Sequence, residues 1–95
     1  MKAYVIVIER VDDQATFAEY AKGVAATLAP FEGKFVARGG HTTVLEGQWQ
    51  NPRTVIIEFP SREAADGWYK SADYQKIIGL RHKSSSGNLV ILDGA

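Results

Sequence analysis

The chain has 95 residues and no cysteine, and 11 Lys and Arg balance 11 Asp and Glu. That length fits one domain with a thin core, because a chain of this size buries only about two-thirds of the surface its unfolded form exposes. The missing cysteines exclude disulfides, thiolate chemistry and zinc–sulfur centres. The even charge balance lacks the basic stripe that nucleic-acid binding needs to displace counterions from phosphates.

The apolar, β-branched run Tyr4 to Ile8 reads as a strand. It is too short for a signal-peptide core, and Glu9-Arg10 closes it. No stretch approaches the roughly 20 apolar residues that span a bilayer, so a cytoplasmic location is expected. Asp12-Asp13 then offers a cap for a helix in which Phe17, Tyr20, Ala21, Val24 and Leu28 form one apolar stripe. Pro30 ends that helix, because the residue before a proline is pushed out of the α region.

Gly33 opens a second strand over Lys34 to Arg38. Gly39-Gly40 interrupts it, and Thr42 to Glu46 is expected to continue it, the glycines marking a bulge or a close approach to another backbone or a ligand. A turn-rich loop, Gly47 to Pro52, leads to a third strand, Arg53 to Phe59. Ser61 caps a helix holding Ala64, Ala65, Trp68 and Tyr69, and Ser71 caps a further short helix with Tyr74, Ile77 and Ile78. Gly79 and a Ser84-to-Gly87 loop precede a last strand, Asn88 to Asp93.

The order strand–helix–strand, twice over, defines an α+β, ferredoxin-like split βαβ sandwich in a single domain, residues 1–95. A four-stranded antiparallel sheet carries both main helices on one face. Strand parity adds a second conclusion. The row Val5, Val7, Val55, Ile57, Phe59, Leu89, Ile91 is apolar and suits burial beneath the helices. The opposite row contains Tyr4, Ile6, Ile8, Ile56, Val90 and Leu92, with Thr54, Glu58 and Asn88, and a face left to water should be more polar. A second copy of the same sheet is the economical cover, so a homodimer through the open sheet face is expected.

These residues resemble a bacterial family, domain-of-unknown-function family 1330, within the dimeric α/β-barrel superfamily. The resemblance covers nearly the whole chain. It rests on Phe17-x-x-Tyr20, Arg38-Gly39-Gly40, Leu45-Glu46-Gly47-x-Trp49 and Glu58-Phe59-Pro60-Ser61, continued by Ala65, Trp68-Tyr69-x-Ser71, Tyr74 and Arg81. Asp13 departs from a frequent proline of the family, and Glu32-Gly33 replaces a frequent glycine pair. The resemblance implies two sheets facing each other across a dimeric barrel. It brings no catalytic activity, since relatives in the superfamily range from cofactor-independent monooxygenases and isomerases to haem-binding enzymes and ligand-binding modules.

Among the residues that can carry chemistry, Glu58 lies mid-strand on the row of Ile56, facing the interface or barrel. It is a candidate proton carrier, or else one half of an ion pair or hydrogen bond with Arg38, Arg53 or Tyr4. His41, after the double glycine, is the second candidate proton carrier, and a solvated loop histidine is its plainer reading. His82 sits in the basic cluster Arg81-His82-Lys83, suited to an anion or merely solvated. Tyr20, Trp49 and Tyr74 are candidate linings of a small-molecule pocket, whereas Trp68 reads as core. Arg38 and Arg81 add guanidinium groups suited to a ligand carboxylate, with a salt bridge, Glu46 for Arg81, as the structural alternative. His41, His82, Glu46 and Glu58 lack metal-ligand spacing, no nucleophile elbow or phosphate loop appears, and no cofactor or metal is expected. Three functions compete: a binder of a small apolar or acidic metabolite, a cofactor-independent isomerase or monooxygenase using Glu58 or His41, and a structural dimer acting through a protein partner.

Overall fold

A computed structural model describes residues 1–95. Strand β1 (Ala3–Val11) leads through helix α1 (Gln14–Leu28) and a short 3-10 turn (Ala29–Phe31) to β2 (Lys34–Arg38). Strand β3 (Arg53–Phe59), helices α2 (Arg62–Lys70) and α3 (Ala72–Ser84), and strand β4 (Ser85–Asp93) complete the chain. The strands form one antiparallel sheet in the order β2-β3-β1-β4, the split βαβ topology of a ferredoxin-like domain.

Local chemistry sets the helix boundaries. Asp13 caps α1, its carboxylate accepting from the Thr16 backbone N–H at 3.1 Å and from the Thr16 hydroxyl at 2.7 Å. The Ser61 hydroxyl accepts from the Ala64 N–H at 3.1 Å. Ser71 serves two helices at once, donating to the Trp68 carbonyl that ends α2 and accepting from the Tyr74 N–H that starts α3.

The core lies between the helices and one sheet face. Val5, Val7, Val55, Ile57 and Phe59 meet Phe17, Tyr20, Val24, Leu28, Trp68, Tyr74 and Ile78 there. Trp68 is fully buried, and its indole N–H donates to the Thr27 hydroxyl at 2.9 Å. On the other face Tyr4, Ile6, Ile8 and Ile56 are half-buried within the subunit, and Val90 and Leu92 are exposed. The sheet therefore carries apolar side chains on both faces, with helices over only one of them.

Three expectations about the connections need correction. Residues 39–52 form no strand, and Thr42 to Glu46 are exposed. The β2–β3 ladder ends at the Arg38–Val55 pair, Gly39 turns the chain away at φ 70°, and the segment beyond has no neighbour with which to exchange backbone hydrogen bonds. The bulge falls at Val36, between Phe35 and Ala37, instead of at the glycines. Finally, α3 runs through Gly79 to Ser84, and β4 starts at Ser85 because it pairs with Val11. Gly79 sits on the exposed side of α3, where its missing side chain leaves no void.

Candidate functional site

A small cavity of about 30 Å³ lies under α1 between the sheet and the helices. Its lining is mostly apolar, from residues such as Val7, Phe17, Val24, Phe35 and Val55. The polar members are Glu9, Tyr20, Arg38, Arg53 and Arg81. A mainly apolar lining with a few convergent polar groups is the make-up of a small-molecule site, here at about a tenth of the usual volume.

Strand geometry brings these groups together. Glu9 follows Val5 and Val7 on β1, and Arg53 precedes Val55 and Ile57 on β3, so both belong to the row beneath the helices. They face each other in the β1–β3 register, and the Arg53 Nε donates to Glu9 Oε2 at 3.2 Å. Phe35 and Arg38 are three residues apart and would point to opposite faces of a regular strand. The bulge at Val36 restores them to the same face, pairing Phe35 with Ile57 and Arg38 with Val55. The Arg38 guanidinium lies 4.1 Å from the centre of the Phe35 ring, and its Nη2 donates to the Ala21 carbonyl of α1 at 3.3 Å. Arg38 thereby spans the mouth from sheet to helix.

Gly39 completes this corner. Its left-handed backbone suits glycine, and a β-carbon there would collide with the Arg53 guanidinium.

The helical wall is polar at one end. The Tyr20 and Tyr74 hydroxyls are 2.9 Å apart and share one hydrogen bond. Burial pushes the Tyr20 phenol far above its ordinary range, and neighbouring Tyr74 adds to the shift. Burial also raises Tyr74, partly offset by its hydrogen bond to Tyr20 and by the charge of Arg81. Both phenols therefore remain protonated at neutral pH, one donating to the other.

Arg81 is buried on α3, with His82 Nε2 at 3.3 Å from its Nη2. Its Nε has no hydrogen-bond partner, and neither has Glu9 Oε1. A buried polar group left unpaired costs about 1–3 kcal/mol, and more when charged, so these two atoms are a local cost to the fold. With one carboxylate and three guanidinium groups, the lining carries net positive charge.

The residues singled out in the sequence divide among several places. Tyr20, Arg38 and Arg81 line the cavity, and Tyr74 stands behind Tyr20. Trp49 lies elsewhere, half-exposed in the 39–52 segment, its indole N–H bonded to the Thr54 hydroxyl at 3.0 Å beside a shallow depression lined by Thr42 to Glu46. Glu58 sits on the open face, where its ion-pair partner is Lys2 at 3.5 Å, in place of Arg38, Arg53 or Tyr4. Glu46 is exposed and forms no pair with Arg81. His41 and His82 are exposed and line none of these hollows. No group of three or more His, Cys, Asp or Glu side chains is placed to hold a metal ion.

Glu9 and Arg53 are the site residues that sequence reasoning missed. The signal was there: extending the buried rows Val5–Val7 and Val55–Ile57 by one step at each end reaches them.

The fold and the cavity define a class: a ferredoxin-like α+β domain with a charged, mostly apolar pocket between helices and sheet, and an apolar outer sheet face. Within that class the chain belongs to the family described as Domain of unknown function (DUF1330), whose model matches residues 2–95. Among solved structures it is similar to RPA0582 of Rhodopseudomonas palustris, a protein of unknown function, with a TM-score of 0.78 at 16% identity over 99% of this chain and 82% of that one. It is similar to a dimeric ferredoxin-like protein of unknown function from Jannaschia sp. CCS1, with a TM-score of 0.72 at 18% identity over 99% and 100% of the two chains. It is also similar to SnoaB, a cofactor-independent oxygenase from Streptomyces nogalater, with a TM-score of 0.69 at 17% identity over 99% and 93%. At these identities the likeness concerns the fold. No curated protein sequence matches the chain.

Proposed function

We propose that the protein is a cytoplasmic homodimer that binds a small, mostly apolar molecule carrying an acidic group beneath α1, the small cavity there widening as its mouth at Arg38 opens. One observation carries this reading. Arg81 is buried, its Nε is unpartnered, and it borders an apolar hollow in which Glu9 and Arg53 neutralise each other and Arg38 adds a second uncompensated positive charge. An anionic headgroup on an apolar body fits that pattern, since guanidinium binds carboxylates through paired hydrogen bonds. Arg38 at the mouth and the Tyr20 hydroxyl supply further donors. The dimer is supported by the apolar outer face of the sheet and by the dimeric ferredoxin-like neighbours. No helix is long and apolar enough to cross a membrane.

The test is a thermal-shift series with benzoate, phenylacetate and their neutral amides. A ligand at 100 times its dissociation constant adds about 2.7 kcal/mol, which raises Tm by roughly 10–20 °C in a domain of this size. The acids should shift Tm and the amides should not. Equal responses to acid and amide, or no response to any acid of the series, would sink the reading.

A second reading, a cofactor-independent isomerase or oxygenase, draws support from the free oxygen of a buried carboxylate in the same cavity. Glu9 is better placed as its proton carrier than Glu58 or His41, because it alone of the three lines the hollow.

A further inference from the structure

Apart from Met1, the large apolar side chains that stand exposed gather in two places. Val36, Val44, Leu45 and Trp49 lie on β2 and the segment that follows it, and Val90 and Leu92 lie on β4. Both places also leave backbone unused. β4 is an edge strand, and it pairs with β1 along its whole length without a bulge. From Ser85 to Leu92 it carries neither charge nor proline. An edge so long and unguarded is a template for one more strand. The other edge, β2, is shielded by Lys34, Arg38 and the bulge at Val36.

Thr42 to Glu46 is the complement of that open edge. Its Thr-Thr-Val-Leu sequence suits a strand, yet no backbone hydrogen bond of the subunit involves it. Its own β4 stands on the opposite edge of the sheet, roughly 14 Å from β2 with β3 and β1 between. The end of the segment is fixed on the other side of the sheet from the helices. There the Trp49 indole N–H donates to the Thr54 hydroxyl, and Thr54 shares the outer row with Ile56 and Glu58. The exposed segment therefore borders the face given to the contact between copies.

We propose that Thr42 to Glu46 of each subunit adds as a strand to the β4 edge of a second copy, the two additions being related by the two-fold axis of the dimer. The inference rests on the dimer through the outer sheet face, since a neighbour seated there brings its β4 to the segment. Once paired, the backbone groups of the segment and those along the free side of β4 satisfy one another. Successive side chains point to opposite faces, so Val44 covers one side of the joint and Leu45 the other.

The test is made on the full natural chain by NMR, at a concentration where light scattering gives a dimer. Isotope-labelled chains are mixed with unlabelled ones, and filtered nuclear Overhauser contacts then report protons on different subunits. Such contacts should run between Thr42 to Glu46 and β4. The amides of Thr42 to Glu46 should exchange with solvent at least about 100-fold slower than those of an unstructured segment. Val44→Pro removes an N–H and stiffens the segment without breaking any backbone bond within the subunit. It should abolish the slow exchange and raise the dissociation constant of the dimer by at least about 10-fold. The contacts in the natural chain decide the matter should this variant not fold. Exchange at the unstructured rate, contacts from the segment to another element in place of β4, or a dimer that Val44→Pro leaves equally tight overturns the inference and leaves the dimer standing. A natural chain that is monomeric at micromolar concentration overturns both.

Discussion

Glu9 and Arg53 face each other on adjacent strands beneath the helices, and the guanidinium Nε lies 3.2 Å from the carboxylate. The pair is lopsided in its access to water, since the Glu9 side chain is 3% exposed and that of Arg53 28%. Arg53 also spreads its guanidinium 5.1 Å from the Phe17 ring centre, so the charge is shared with an aromatic face.

That asymmetry predicts unequal costs of breaking the pair. Arg53→Met strands a buried carboxylate and should destabilise by about 3 kcal/mol. Glu9→Gln leaves a guanidinium that can lean toward water and should cost about 1 kcal/mol. Urea denaturation of both variants at one protein concentration gives the comparison. Equal losses, or the larger loss in Glu9→Gln, would contradict the burial argument.

Arg81 makes the opposite kind of prediction. Its buried charge has no carboxylate partner, so the fold bears its desolvation without compensation from an ion pair. Arg81→Met keeps the length of the side chain and removes the charge. The variant should be at least as stable as the natural protein, and its Tm should no longer respond to benzoate. This trade between stability and binding is the signature of a site residue. A variant several kilocalories less stable that still binds benzoate would make Arg81 a structural residue.

Much of this could be read from the residues, because the signals were local. The strand Arg53–Phe59 and the caps at Ser61 and Ser71 stand where the sequence places them. The segment Thr42 to Glu46 misleads because β-branched, apolar composition reports a capacity to pair, while pairing needs a partner strand that the isolated subunit does not supply. The cavity eluded the reading for a different reason. Its residues come from β1, α1, β2, β3, α2 and α3, and Arg38 joins them only through a bulge whose position no local pattern announces. Glu9 was hidden by habit, since a charge at the end of an apolar run reads as the strand's edge.

The Tyr20–Tyr74 pair predicts an alkaline limit. Folding raises both phenols above their unfolded value near 10, so the folded state binds their protons more tightly than the unfolded state does. Their contribution is fully present below that pH and is lost as pH rises further toward the folded values. Stability should therefore fall above about pH 10. Tyr20→Phe should flatten this decline, read as Tm against pH from 8 to 11. An unchanged slope would show that other groups govern it.

Trp68 and Thr27 tie α2 to α1 by a buried relay, the indole donating to the hydroxyl at 2.9 Å and the hydroxyl to the Val24 carbonyl at 2.6 Å. Thr27→Val is close to isosteric and leaves the indole N–H without an acceptor. It should cost about 2 kcal/mol, or roughly 10 °C in Tm. Thr27→Ser restores the acceptor and should recover most of that loss. A Thr27→Val protein as stable as Thr27→Ser would mean the relay contributes nothing.

The outer sheet face yields the last prediction. Val90 and Leu92 are 51% and 54% exposed in one subunit, beside the half-buried Ile6 and Ile56. A typical stable interface removes about 800 Å² from each partner, and apolar area contributes about 25 cal/mol per Å², so a sheet-to-sheet dimer has ample driving force. Lysine at positions 90 and 92 leaves the subunit fold intact, because both side chains project away from its core. In the dimer the same ammonium groups would lose water opposite another apolar sheet, at several kcal/mol each. Light scattering should give twice 10.4 kDa for the natural chain and 10.4 kDa for Val90→Lys with Leu92→Lys, the circular dichroism being unchanged. A natural chain of 10.4 kDa at micromolar concentration, or a double variant still at twice that mass, would remove this face as the contact between copies.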